Sequence, residues 1–184
     1  MKKIGYMGIP FSNSENAARK FIEKRGINGE LIPLVNSEGV VRALLEDTID
    51  YGIVAVRNAV AGKVIETEEA LKLGPVKVIE EIGLSIHHCV FIKREGIKVS
   101  AVASHIQALA QTHNNLDEIL PGIKKITTED TALSAEMLAD GRLPEDTAVI
   151  CGLEAGRNKG LFLLKENIED DKENMTYFAL LVNS

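Results

Sequence analysis

Val99-Ser100-Ala101-Val102-Ala103-Ser104-His105-Ile106-Gln107-Ala108-Leu109-Ala110-Gln111 changes period in its middle. Val99 to Ala103 is a mostly apolar run of strand length. From His105 the apolar residues recur at helical spacing, with Ile106, Leu109 and Ala110 on one side. A strand that runs straight into a helix is the joint from which α/β folds are built. The helix end it creates exposes free backbone N–H groups and the positive end of the helix dipole, so it favours an anion. Ser104 and Gln107 stand three apart, the spacing at which an N-cap and the first turn exchange hydrogen bonds. A helix cap and an anion site are both compatible with this string.

The same alternation extends along the chain. Strands are expected at Lys3–Met7, Glu30–Leu34, Tyr51–Val56, within Val76–Ile92 with a break at Gly83, and at Val99–Ala103. Further strands are expected at Lys125–Thr127, Thr147–Cys151 and Thr176–Val182. Helices are expected from Ser14 as N-cap to about Arg25, and over Ser37–Leu45, His105–His113 and Thr131–Ala139. This order predicts a mostly parallel sheet with right-handed crossovers. There is no internal repeat.

Composition narrows the function. The chain has 184 residues, 45% of them apolar, which is enough for a real core. A net charge of −6 argues against a nucleic-acid surface. No apolar run approaches membrane-spanning length, and the Met1-Lys2-Lys3 start lacks the long apolar region of a signal peptide. Cys89 and Cys151 lie far apart in apolar stretches without a CxxC, which reads as buried thiols rather than a disulfide or a metal site. The acidic runs Glu66–Glu69 and Glu166–Asp171 read as solvated faces. No metal cluster and no Gly-rich nucleotide loop is visible, so no cofactor is expected.

Six short strings, taken in order, resemble one family. Gly8 to Ala18 with Ser12, Ser14 and Glu15 is similar to the N-terminal segment of prephenate and arogenate dehydratases. Val56 to Val64 resembles their Pro-Ile-Glu-Asn-Ser-x-x-Gly-x-Val segment through Asn58, Gly62 and Val64. His87-His88-Cys89, Ser104 to Gln111, Asp130-Thr131-Ala132 and Asn174 to Phe178 resemble four further family strings, the last of which ends Thr-Arg-Phe. The resemblance implies an α/β fold of two lobes, like the type II periplasmic binding proteins, with the ligand cleft between them. It places lobe one at about 1–77 plus 161–184 and lobe two at about 78–160. It also implies a cytoplasmic homo-oligomer in phenylalanine biosynthesis whose partner is a small dicarboxylate. The regulatory domain that usually follows is expected to be absent, since the chain stops at Ser184.

In that family prephenate loses water and carbon dioxide together. The resemblance gives Thr176 the catalytic position at the ring hydroxyl. It gives Ser14, Asn58, Ser104, Gln107, Thr131 and Phe178 substrate-lining positions. Two departures stand out. The Glu-Asn-Ser of the family is here Arg57-Asn58-Ala59, and its Thr-Arg-Phe is Thr176-Tyr177-Phe178. Arginine forks a carboxylate and tyrosine cannot replace its charge. The paired change suggests that Arg57 supplies the positive charge lost at Tyr177. Phe11 stands where the family has glycine, so its ring would fill space that glycine leaves open. A non-catalytic carboxylate-binding protein and a prephenate decarboxylase-like enzyme are the alternatives to a dehydratase.

Overall fold

Apolar alternation sets which face each strand buries, and the helices follow. The computed structural model describes residues 1–184. The chain folds as two compact units: Met1–Ile86 with Glu173–Ser184, and His87–Lys172.

The first unit holds β1 (Lys2–Tyr6), α1 (Asn13–Arg25), β2 (Gly29–Pro33), α2 (Ser37–Leu45), β3 (Tyr51–Asn58), β4 (Gly62–Lys63), α3 (Ile65–Ala70) and β5 (Val76–Ser85). The second unit runs through β6 (Cys89–Ile92), β7 (Ala101–His105), α4 (Ile106–Gln111), α5 (His113–Ile119), β8 (Lys124–Thr128), α6 (Thr131–Ala139), β9 (Thr147–Cys151), α7 (Leu153–Asn158) and β10 (Phe162–Lys165). The chain then returns to the first unit as β11 (Met175–Asn183).

In the first unit the strand order is β2-β1-β3-β11-β5, with β4 attached to β3. β1 is parallel to both β2 and β3, whereas β11 is antiparallel to β3 and β5. The sheet is therefore mixed rather than mostly parallel. No helical crossover joins β11 to its neighbours, so the right-handed crossover rule does not fix its direction. One face packs on α1: Ile4, Tyr6, Ile53, Ala55, Phe178 and Leu180 form a cluster with Ala17, Ala18 and Phe21. The other face packs on α2: Val54, Ala179 and Leu181 join Val40, Val41 and Leu44. Each fully buried Phe, Leu or Ile contributes about 1.5–3 kcal/mol through removal from water. Gly52 lets α2 approach β3 closely, since a methyl there would stand 2.6 Å from Val40 and 2.9 Å from Leu44.

In the second unit the order is β10-β6-β9-β7-β8. β7 is parallel to β8 and β9, and β6 is antiparallel to β9 and β10. Thr147–Cys151 is buried at every position, as a central strand covered on both faces must be.

The division falls at 86/87 and 172/173 rather than near 77 and 161. β5 runs without a break through Gly83 and pairs with β11 from Val76↔Asn183 to Ser85↔Met175, so it belongs to the first unit. β10 pairs with β6 and belongs to the second. No helix is long and apolar enough to cross a membrane.

Candidate active site

Thr176 and Asn58 face each other across β11 and β3. The Asn58 Nδ2 donates to Thr176 Oγ1 at 2.8 Å and to Asn174 Oδ1 at 2.9 Å. Its Oδ1 accepts from the N–H groups of Val60 and Ala61, both at 2.9 Å. These two backbone donors fix which end of the amide points at the threonine, because only an acceptor can meet them. Thr176 Oγ1 therefore receives a hydrogen bond, and its own proton points away from Asn58. A donor on the hydroxyl oxygen stabilises negative charge there and makes the proton easier to give. Thr176 is half-buried, and Asn58 does not take up the donor capacity of its hydroxyl.

A β-bulge decides what shares this face. Tyr177 pairs with Arg57, but Phe178 pairs with Ala55, so Val56 is one extra residue in β3. Ala55 lies on the α1 face. Strict alternation from Ala55 would put Arg57 on that face and Asn58 on the other. The bulge resets the count. Asn58 joins Thr176, two residues before Phe178 on the same side of β11, while Arg57 turns to the α2 face. There its guanidinium carbon lies 3.3 Å from the centroid of the Tyr177 ring. The sequence expectation that Arg57 replaces a cation beside Thr176 is corrected by this geometry. Phe178 is also corrected as a substrate contact, since it is 1% exposed within the α1-side core.

The N-terminal segment is a Ser-x-x-Glu capping box displaced from the expected position. Ser12, not Ser14, caps α1, its Oγ accepting from Glu15 N at 3.3 Å. Ser14 is the second residue of the helix and is buried. The Glu15 carboxylate reaches back to the Phe11 N–H and forward to Arg19. Phe11 has φ +67°, a left-handed conformation that glycine adopts more readily than a residue with a side chain. In the core beside α1, burial and the Glu15 carboxylate push the Tyr6 phenol up to about 12.

Polar groups of the second unit are turned inward. Ser104 is fully buried and donates from Oγ to the Ile150 carbonyl at 2.6 Å. The cap of α4 is His105, whose Nδ1 accepts from Gln107 N at 3.3 Å. The Gln107 side chain is exposed on the first turn. Thr131 opens α6 but does not cap it; Asp130 does, accepting from Ala132 N at 2.7 Å and Leu133 N at 3.0 Å. The anion at this helix start is the chain's own carboxylate. Glu169, 1% exposed, accepts from His88 N at 3.0 Å and meets His87 Nδ1 at 3.0 Å. The His88 ring turns to Gln111 Oε1 at 3.0 Å, and burial holds its pKa below the usual value. Cys89 and Cys151, distant in sequence, stand directly opposite each other in β6 and β9 as buried free thiols. Burial raises the pKa of both. No group of His, Cys, Asp and Glu side chains is arranged to hold a metal ion.

Asn174, Asp130 and Glu169 organise these groups through partners that their local sequence does not reveal.

Two mixed sheets, each flanked by helices, place the chain among the α/β proteins with the periplasmic-binding-protein type of fold. A Bacillus subtilis chain described as a methionine-binding lipoprotein superposes on all of it with a TM-score of 0.53 at 10% identity. The chain belongs to the prephenate dehydratase family, whose sequence pattern matches residues 4–184. Arogenate dehydratase/prephenate dehydratase 1 of Arabidopsis thaliana is 32% identical over 97% of this chain and 44% of its own length. The chain thus spans less than half of that relative. The prephenate dehydratase of Arthrobacter aurescens, solved in complex with L-Phe, superposes with a TM-score of 0.87 over 99% of this chain and 60% of its own, at 24% identity.

Proposed function

We propose that this chain carries the lyase activity of its family, the decarboxylative dehydration of prephenate or arogenate to phenylpyruvate or phenylalanine. The observation that carries this reading is the Asn58–Thr176 pair, a hydroxyl whose lone pair is taken by an oriented amide. In the step, the ring carboxylate leaves as carbon dioxide and its bonding electrons form the new ring double bond. The C–O bond on the opposite carbon breaks, and the departing hydroxide takes the Thr176 proton and leaves as water. Solvent then restores the threonine proton. Aromatisation supplies the driving force, so a positioned proton donor worth about 10²–10⁴ in rate is the main demand on the protein. Asn58 holds the threonine oxygen and shares the charge that develops on it.

Ser14, Gln107 and Thr131 are assigned to ligand contacts in the same reading. Gln107 supports this through an amide exposed on a helix's first turn. Ser104 supports it less, because its proton is spent on Ile150. The substrate class is a small dicarboxylate.

The test is to incubate the purified protein with prephenate and with arogenate, and to identify the products. Phenylpyruvate from the first or phenylalanine from the second is expected. Consumption without an aromatic product would replace this reading with a diverted decarboxylation, and substrate bound but untouched would replace it with a binding protein.

A further inference from the structure

We propose that the Arg57–Tyr177 stack is a positioning device. It holds the β-bulge that delivers Asn58 to Thr176, and Arg57 is not an anion clamp. The function of the stack rests on the reading of Thr176 as the proton donor; its geometry does not.

Three observations converge on it. The first is that the choice between Arg57 and Asn58 as Thr176's neighbour is made by one residue. With Val56 unpaired, Asn58 faces Thr176; with Val56 in the ladder, Arg57 would. Such a slip flips each side chain to the opposite face, so the bulge must be held. The second is that the stack sits on that register. Arg57 and Tyr177 are direct cross-strand partners, and the guanidinium lies 3.3 Å from the ring centroid, a contact that cannot survive the slip. The third is that the ring is seated from its other side. Tyr177 also pairs with Gly83 of β5, where a methyl would stand 3.2 Å from the Tyr177 ring and 2.7 Å from Met175 Sδ. Gly83 thus leaves the room in which Tyr177 lies, and Tyr177 offers its face to Arg57.

The rest of the bulge is closed from the following segment. Val56 O accepts from Val64 N at 3.0 Å, and Ala55 O accepts from the buried Thr67 hydroxyl at 2.6 Å. The stack is the side-chain part of this lock. It lies on the two departures from the family strings, Arg57 and Tyr177, which stand at one register of β3 and β11. Such a contact fixes register without a counter-charge, and it directs the Arg57 cation away from Thr176.

The experiment compares wild type with Arg57→Met, Tyr177→Phe, Tyr177→Val and the double variant Arg57→Met/Tyr177→Val. Hydrogen exchange of the Asn58 side-chain amide is read by NMR on protein labelled at asparagine, and kcat and KM are measured on the substrate turned over. Arg57→Met and Tyr177→Val should each speed exchange about two- to fivefold, the weight of an exposed cation–π contact. The double variant should be no worse than either single one, and Tyr177→Phe should match wild type. In the kinetics kcat should fall by no more than that factor, with KM unchanged. Wild-type exchange in both single variants, or effects that multiply in the double variant, would overturn the stack as a lock. A tenfold rise in KM for Arg57→Met at constant kcat would overturn it in favour of an anion clamp. If wild type converts neither prephenate nor arogenate, the lyase reading fails, while the amide exchange still decides the lock.

Discussion

Thr176 in the first unit and Ser104 in the second both carry a hydroxyl in a β-strand, and both belong to strings shared with one family. They use that hydroxyl in opposite ways. Ser104 is fully buried and donates its hydroxyl hydrogen bond to the Ile150 carbonyl. Thr176 is half-buried and accepts a hydrogen bond from Asn58, which leaves the donor side of its hydroxyl uncommitted to that partner. The same division extends to the neighbours. Asp130 and Glu169 of the second unit spend their carboxylates on backbone N–H groups, whereas the Asn58 amide is oriented by two backbone donors and passes that orientation on to Thr176. A polar residue in a family string is thus not by that fact a chemical group. In the proposed reading, the direction in which its hydroxyl donates separates a residue that supports the fold from one that serves the ligand.

The largest effect expected from breaking this contrast is structural. Phe178→Ala removes a buried ring on the Thr176 side of β11 and should cost about 3–5 kcal/mol, measured by denaturant unfolding. Next is Asn58→Ala, which takes the donor from Thr176 while leaving the hydroxyl in place. We expect kcat to fall about 10- to 100-fold, the order of one lost charge-stabilising hydrogen bond, with KM little changed. Ser104→Ala should do the reverse. It removes a buried hydrogen bond to the Ile150 carbonyl and costs about 1–3 kcal/mol of stability, with kcat within a few-fold of wild type. A kcat loss as large as that of Asn58→Ala would erase the distinction between the two hydroxyls.

The smallest effect concerns pH and the inward-facing groups. Burial works to raise the Glu169 pKa, but the His88 N–H and the His87 ring hold it below the ordinary 4.5. Its folded value is depressed, so its contribution is present above pH 4.5 and is lost as pH falls through that lower value. His88, depressed from 6.5 by burial, loses its contribution in the same direction, beginning below pH 6.5. Melting temperature should fall between pH 7 and pH 3, and Glu169→Gln should flatten the part of that slope below pH 4.5. An unchanged slope would mean that Glu169 is not held as the geometry describes.

Much of the architecture was legible because it rests on local pattern. Alternating strand and helix periods, the buried run Tyr51–Val56 and the strand–helix joint at Ser104 all appear at or near their expected places. Misplaced features depend on pairing. Nothing local in Val56-Arg57-Asn58 announces a bulge, so the face of Arg57 could not be read. Glu166–Asp171 looked like a solvated run, yet Glu169 is buried by a backbone N–H and a histidine from the other end of the unit. Gly83 looked like a strand break, although it is the place where Met175 and Tyr177 cross β5. Ser12 is the exception: its spacing to Glu15 is a capping box legible in sequence, although the expected cap is Ser14.

The most direct test of the account is kcat for Thr176→Ala and Thr176→Ser on the substrate that wild type turns over. Alanine removes the outward proton and should lower kcat about 10²–10⁴-fold, while serine, which keeps the hydroxyl on Asn58, should restore most of it. Equal activity in the alanine variant and wild type would contradict the claim that Thr176 gives the proton.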